Sequence, residues 1–315
     1  MERLDVLLER IRRYTYNQQF TDAGALGSQI GLQTQTLVDL FNEAHTSLRG
    51  IIYNNAPSVF MKTTNIDLVA DQESYTLPSD GLLGGNVISV EYKYGDASGD
   101  YTKLDQANIH QRASNQTGTP QRYIHLDNTI LVNPVPTSAK TDGLRVTYEY
   151  RVRDIDVRRG KVSAVDDANN PTSITITDKS HMDVAMAAGA APEYISVVDK
   201  DGVAKMDNIH VSAYDSGTGV LTVSVSASST ESVAVNDYVV LGKTASSHSD
   251  YPDFCEPYLT EYVKASVMEL DGHPLAGASN QKLRQYGLMV ADAYADYNID
   301  INYIAEIDED RQIGW

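Results

Sequence analysis

The apolar residues of this chain change their period twice. Leu4, Leu7, Leu8 and Ile11 recur at helical spacing, as do Leu37, Phe41, Ala44, Leu48 and Ile51. From Phe60 onward the apolar runs are short or alternating. After Ser249 the longer spacing returns, in Tyr258, Leu259, Tyr262, Val263, Val267 and Leu270 and again in Leu283, Tyr286, Val290, Ala293 and Tyr297. Steps of three and four put side chains on one side of a helix, and steps of two put them on one side of a strand. A chain patterned this way must bury helical stripes from both termini. The expected class is α+β: a helical bundle from N- and C-terminal helices, an antiparallel β core, and an inserted small β-barrel or sandwich.

The punctuation gives boundaries. A Gly-containing break, Asp22 to Gly31, separates the first two helices. Thr34 or Thr36 can cap the second, which Asn54, Asn55 and Pro57 end, because the residue before a proline is pushed out of helical geometry. Between Phe60 and Asp156, LRVTYEYRV is the clearest strand, with Leu144, Val146, Tyr148, Tyr150 and Val152 on one face and Arg145, Thr147, Glu149 and Arg151 on the other. NTILVNPVPT, residues 128–137, joins the run Ile130 to Val132 to a segment poor in backbone donors, so a strand must end there. Such an exit is expected to protect a sheet edge. Tyr101 to Thr119 is polar and reads as a long loop with one helical turn. Six further runs, beginning at Val162, Ile174, Ile195, Ile209, Val220 and Asp237, have the spacing of a small barrel or sandwich, with a tight turn at Gly217 to Gly219. Two domains are expected: 1–156 with 250–315, and an inserted 157–249.

Asp253 is the expected cap of the penultimate helix, Pro257 lies in its first turn, and DGHP, Asp271 to Pro274, stops it. In the last helix Leu283, Tyr286, Val290 and Tyr297 form a seam of the kind that meets other helices, here read as a seam between copies. Asp292, Asp296, Asp300, Glu306, Asp308, Glu309 and Asp310 make the end acidic against Arg311. Tyr303, Ile304, Ile307, Ile313 and Trp315 are odd in a solvated terminus and suggest an arm that docks on a neighbour.

Charge excludes one class of function. At −18 and pI ≈ 4.6 the chain lacks the clustered cations that phosphate neutralisation needs, although an acidic surface can line a path along which DNA slides. No apolar run approaches the roughly 20 residues of a membrane span, and Glu2, Asp5 and Glu9 make the first residues unlike a signal peptide, so a soluble, unexported protein is expected. The one cysteine, Cys255, reads as a buried structural thiol. The 20 tyrosines suit wet interfaces and ordinary sheets alike.

Chemistry is hard to find. There is no phosphate loop, dinucleotide fingerprint or helical zinc motif. His181 with Asp183, and His210 near Asp207, have no third ligand at a recognisable spacing. Ser247, His248 and Asp250 are contiguous, whereas catalytic triads converge from separate segments. Asp166–Asp167 and Asp199–Asp201 fit turns better than calcium loops or glycosidase pairs. No catalytic residue, metal or cofactor is expected.

Four stretches carry a likeness: LVDLFNEAHTSLRGIIYNN (37–55); SYTLPSDGLLGGNVISVEYKYG (74–95); GTPQRYIHLDNTILVNPVPT (118–137) with RVTYEYRV (145–152); and YPDFCEPYLTEYVKASVMELDG (251–272). In these the chain resembles the head-to-tail adaptor or connector proteins of tailed bacteriophages, ring proteins beneath the portal that include the tail accessory factors of short-tailed phages. The resemblance implies a non-enzymatic virion protein of the neck, assembled in the host cytoplasm as a dodecameric ring. It implies as partners the portal protein, a tail nozzle, tube or fibre protein and further copies of the chain, with no membrane. DNA would transit a channel without specific binding, and Asp292, Asp296 and Asp300 are candidates to line it. Two rivals remain: a receptor- or carbohydrate-binding tail module, and a cell-wall hydrolase acting through an acidic pair.

Overall fold

The computed structural model describes residues 3–16, 34–78, 80–81, 87–95, 101–111, 116–187, 193–225, 232–270 and 272–311, with the backbone alone for 12–16, 111, 187 and 296–311. The expected break at Asp22 to Gly31 lies outside these. The helices are α1 (Leu4–Tyr16), α2 (Thr34–Asn55), α3 (Ser180–Ala187), α4 (Glu256–Leu270) and α5 (Ala276–Arg311). The first eight strands are β1 (Met61–Leu68), β2 (Ser74–Thr76), β3 (Val87–Lys93), β4 (Tyr101–Lys103), β5 (Asp105–Gln106), β6 (Arg122–Leu126), β7 (Thr129–Asn133) and β8 (Lys140–Glu149). The others are β9 (Asp154–Ile155), β10 (Gly160–Val165), β11 (Ser173–Thr177), β12 (Tyr194–Val198), β13 (Ala204–Asp215), β14 (Val220–Val225), β15 (Tyr238–Leu241) and β16 (Ala245–Ser246). The α+β class is the observed one. Among the described residues no helix is long and apolar enough to cross a membrane.

By packing, the chain divides into residues 1–56 with 153–315, and residues 57–152. This differs from the division expected from the sequence, which set 157–249 apart and kept the β core with the helices. The physical reason is how the barrel is tied down. Asn42 of α2 brackets the backbone of Ile155, its Oδ1 accepting from the Ile155 N–H (2.8 Å) and its Nδ2 donating to the Ile155 carbonyl (3.0 Å). Asp156 and Arg159, each 2% exposed, form a bidentate ion pair just before the barrel begins. The Arg159 guanidinium also donates to Gln35 Oε1 at the start of α2 (2.7 Å), and Asp156 Oδ2 accepts the N–H of Leu241 in β15 (2.7 Å). Two buried charges are tolerated there because every strong partner is hydrogen-bonded.

Residues 57–152 form two four-stranded sheets, ordered β1-β8-β3-β4 and β2-β7-β6-β5, across one core that includes Val90, Ile130, Val132, Leu144, Val146 and Tyr148. The alternation in β8 holds for Leu144, Val146 and Tyr148, which are buried, while Arg145 and Thr147 are half-exposed; the strand itself ends at Glu149. The Tyr148 hydroxyl donates to Asp80 Oδ1 (2.7 Å), whose other oxygen meets Lys62 Nζ (2.6 Å). The strand before the Asn-Pro-Val-Pro exit does end at Asn133, where the Asn133–Pro134 bond is cis. Its edge-protecting role is corrected: β7 lies inside its sheet, paired with β2 on one side and β6 on the other. The exit instead continues pairing, as the Val135 N–H donates to Gln116 O (2.9 Å) and its carbonyl accepts from Gly118 N–H (2.8 Å).

The second run of strands closes into a six-stranded barrel in the order β10-β11-β14-β13-β12-β15. Each of the six expected runs supplies one strand, and the pairing Gly160↔Val239 and Lys161↔Tyr238 joins the ends. Closure leaves no edge to aggregate. Its core includes Ile174, Ile195, Val197, Ile209, Leu221 and Val239, none of them more than marginally exposed. At the β13–β14 turn, Asp215 Oδ1 accepts from Gly217 N–H (2.8 Å) and Oδ2 from the Thr218 hydroxyl (2.7 Å).

Candidate interaction surface

The helical bundle positions the surface of interest. The α1 stripe of Leu4, Leu7, Leu8 and Ile11 is fully buried, α1 packs against α4, and Arg10 on its exposed side pairs with Glu256 (2.8 Å). In α2 the buried face is Leu37, Val38, Phe41, Ala44, His45, Leu48 and Ile52, so Ile52 replaces the expected Ile51. The helix period of 3.6 drifts off a strict 4,3,4,3 count over four turns.

Asp253 is not at the cap position of the penultimate helix: it opens a 3₁₀ turn, Asp253–Cys255, and α4 begins only at Glu256. At the other end Gly272, at φ 62°, donates to Glu269 O (3.1 Å) while His273 N–H reaches Met268 O (2.8 Å). That pair of bonds is a Schellman closure, and a residue without Cβ is what it needs. It stops α4 and turns the chain into α5.

One face of α5 is spent within the chain. Ser279, Val290 and Tyr294 are buried, Leu283 and Tyr286 are half-buried, and a Cβ on Gly287 would sit 3.4 Å from the Tyr258 ring and 3.5 Å from Ile51 Cδ1. Ser279 Oγ donates to Glu261 Oε1 (2.6 Å), and the Tyr294 ring lies 5.7 Å from Phe254. Of the residues read as a seam between copies, Val290 is therefore spent within its own chain, and Leu283 and Tyr286 are so only in part. Val290, at 2% exposed, has no surface left for a neighbour. Ala293 is exposed, and Tyr294 takes its place one residue on. The side chain of Tyr297 lies outside the described residues.

The opposite face carries what the bundle does not use. Leu288 and Met289 are each 65% exposed, beside the exposed Lys282, Arg284, Gln285 and Asp292. Leu270 and Leu275, at 70% and 57%, flank the α4–α5 turn. Beyond Tyr294 the α5 backbone runs on to Arg311, for 36 residues in all or about 54 Å. Tyr303, Ile304 and Ile307, read as part of a docking arm, lie on the same continuous helix, as do Asp296 and Asp300. Between Gly287 and Arg311 there is neither glycine nor proline to break it. Ile313 and Trp315 lie outside the described residues.

The polar groups weighed for chemistry are engaged in structure. Asp166 accepts from the hydroxyl of Thr172 and from the Thr172 and Ser173 amides (both 3.0 Å), and these bonds pull its carboxyl down to about 2. Asp167 Oδ1 accepts from Asn169 N–H (2.9 Å), and Asp199 Oδ1 from Asp201 and Val203 N–H (2.8 and 2.9 Å). Asp183 takes the Tyr214 hydroxyl (2.6 Å), and Asp207 pairs with Arg153 (2.8 Å). His248 Nδ1 meets Ser247 Oγ (3.0 Å), but Asp250 accepts from the Arg153 N–H (3.4 Å). Burial pushes the Cys255 thiol up to about 12. Among the described residues no three His, Cys, Asp or Glu side chains form a metal-holding group.

Sequence reasoning passed over two features. The Asp156–Arg159 pair left no periodic signal, since its meaning lies in contacts with Gln35 and Leu241. His45 continues the apolar stripe of α2 and is 5% exposed. Its signal was its place one residue after Ala44 and four after Phe41.

The SU10 adaptor protein family matches residues 3–224, from the start of α1 nearly to the end of β14. The chain belongs to the SU10 adaptor protein family. The SU10 adaptor match covers α1, α2, the two-sheet unit and most of the barrel, while α4 and α5 lie beyond it. Membership makes the chain a phage structural adaptor, the class its sequence resembles. No curated protein matches it.

Proposed function

We propose that this adaptor joins the portal to the tail as a closed ring of identical subunits, dodecameric as its family resemblance implies, around a channel through which DNA passes. The observation that carries this reading is the two-sidedness of α5. Its inner face is consumed by α2 and α4, whereas Leu288 and Met289 remain outside and the helix runs on through an acidic sequence. A head-to-tail interface that closes on itself buries such surplus apolar surface without leaving an end. Asp292, Asp296 and Asp300, at intervals of four on one helix, suit the lining of a path for DNA, since like charge discourages sticking. Tyr303, Ile304, Ile307, Ile313 and Trp315 are the residues we assign to docking on the portal or a neighbour. Leu283 and Tyr286, half-exposed, can add to the contact between copies. We assign 157–249, which carries the barrel, to the tail side.

Negative-stain microscopy of the purified chain with its portal tests the reading. Rings seated on the portal vertex are expected, and removal of residues 302–315 should abolish seating while leaving the monomer folded. A full-length chain that never seats on a portal, or a trimer that binds glycan through the barrel, would overturn it.

A further inference from the structure

His45 is a polar ring placed where no side chain receives it and only the backbone of Arg153 comes near. It lies on the buried face of α2, 5% exposed, and neither Nδ1 nor Nε2 makes a well-formed hydrogen bond. Phe41 stands 5.9 Å away on the same helix, and the ring of Tyr251, which precedes α4, meets it edge-on at 4.9 Å. The Tyr251 hydroxyl donates to the His45 carbonyl (3.2 Å), so one residue contacts both the ring and the backbone of the other. A neutral imidazole is tolerated there, but a cation would bring a second N–H donor and a full charge into an aromatic enclosure.

We propose that His45 is an acid-sensitive latch: protonation of its ring releases the Tyr251 segment from α2 and loosens the helical bundle. The surrounding charges do not offset that cation. From the segment leading into β9, Arg153 is itself cationic and held by Asp207 (2.8 Å). Asp250, beside Tyr251, accepts from the Arg153 backbone. On α4, Glu256 is paired with Arg10 and Glu261 with Ser279 and Lys264. On α5 the charged Lys282, Arg284 and Asp292 are exposed, and on α2 itself Arg49 lies one turn further on. Burial draws the His45 pKa from 6.5 to about 3, against a backbone hydrogen bond with Arg153 that acts the other way.

The sign follows from linkage. The unfolded chain takes up the proton below about 6.5 and the folded chain does not until about 3, so stability present above 6.5 is lost across that interval. Burial raises the pKa of Asp250, so acidification relieves its cost and acts in the opposite direction. An acid loss specific to this site therefore belongs to the histidine.

The test is urea unfolding of the full chain at pH 7.5, 6 and 5, for the unaltered protein and for His45→Phe, which keeps an aromatic ring between Phe41 and Tyr251. Between pH 6 and 5 the unfolding constant of the unaltered protein should rise up to about tenfold more than that of the variant, the limit for one proton. Equal pH dependence would overturn the proposal. Should the variant fail to fold, histidine-ring NMR of the unaltered chain decides. A His45 ring still neutral at pH 5 in the folded state supports the latch; one that protonates near pH 6.5 with the fold intact refutes it.

Discussion

The two β regions solve the same problem in opposite ways. The two-sheet unit leaves open edges and keeps three of them very short: β2 and β4 have three residues each and β5 has two. Only β1, with eight residues, is a long edge among the described strands. The barrel has no edge at all, because β15 returns to β10. Their supports differ as well. The two-sheet unit is held by an apolar core and a buried tyrosine that reaches a carboxylate, whereas the barrel hangs from the helices by a buried ion pair. Closure makes a β-unit self-sufficient, and a self-sufficient unit then needs a specific tether.

Substitutions at the ion pair and in each of the two cores test that contrast. Asp156→Ala leaves the Arg159 guanidinium buried without its anion and should cost roughly 3–5 kcal/mol in urea unfolding, while Asp156→Leu with Arg159→Met should recover most of it. Hydrogen exchange should then show the helices and the β15 end of the barrel opening before the barrel core. A loss of under about 1 kcal/mol would mean that apolar contact, not the ion pair, ties the barrel down. Next in size are matched core truncations, Ile130→Ala between the sheets and Leu221→Ala in the barrel, both at fully buried residues. Each should cost about 2–5 kcal/mol, and hydrogen exchange should place each loss in the unit that carries it. Loss of protection in both units from either change would break the contrast.

The smallest effect concerns a barrel turn. The Thr172 hydroxyl and then the Ser173 amide stabilise the charged form of Asp166, whose folded pKa of about 2 lies below the ordinary 3.8. Its contribution is therefore present above about pH 4 and fades as the pH falls toward 2. Asp166→Ala should lower stability by a small, constant amount at and above about pH 4, the difference from the unaltered chain closing as the pH falls toward 2 and the acid limb flattening accordingly. An unchanged acid limb would show that the turn holds without its carboxylate.

These regions were not equally legible. All six barrel strands stood out as apolar or β-branched runs, because each has an inner face to fill. In the two-sheet unit β4 and β5 were hidden in a stretch that read as a loop. YTK and DQ have no apolar period, and they are strands because Lys93 to Glu91 and Arg122 to Tyr123 pair with them. The short α3 was missed for a similar reason, as among its described side chains Met182 alone is fully buried. On the interaction surface, the sequence picked out Leu283, Tyr286 and Val290 as one stripe but could not say what the stripe met. Leu288 and Met289 drew no notice, since they become meaningful only once Val290 is known to point inward.

By itself the sequence determined the order of helix and strand, the six barrel runs, the ends of α2 and α4, and the likeness to phage adaptors. These follow from local periodicity and backbone chemistry, which neighbours in the chain are enough to set. Tertiary structure alone decided which helical face is spent inside the bundle, that β7 is an interior strand, that the barrel closes, and that Asp156, Arg159 and His45 are buried. Each of those depends on groups far apart in the chain sharing one small volume, and the cost or gain of a charge or an apolar side chain is fixed only by what fills that volume beside it.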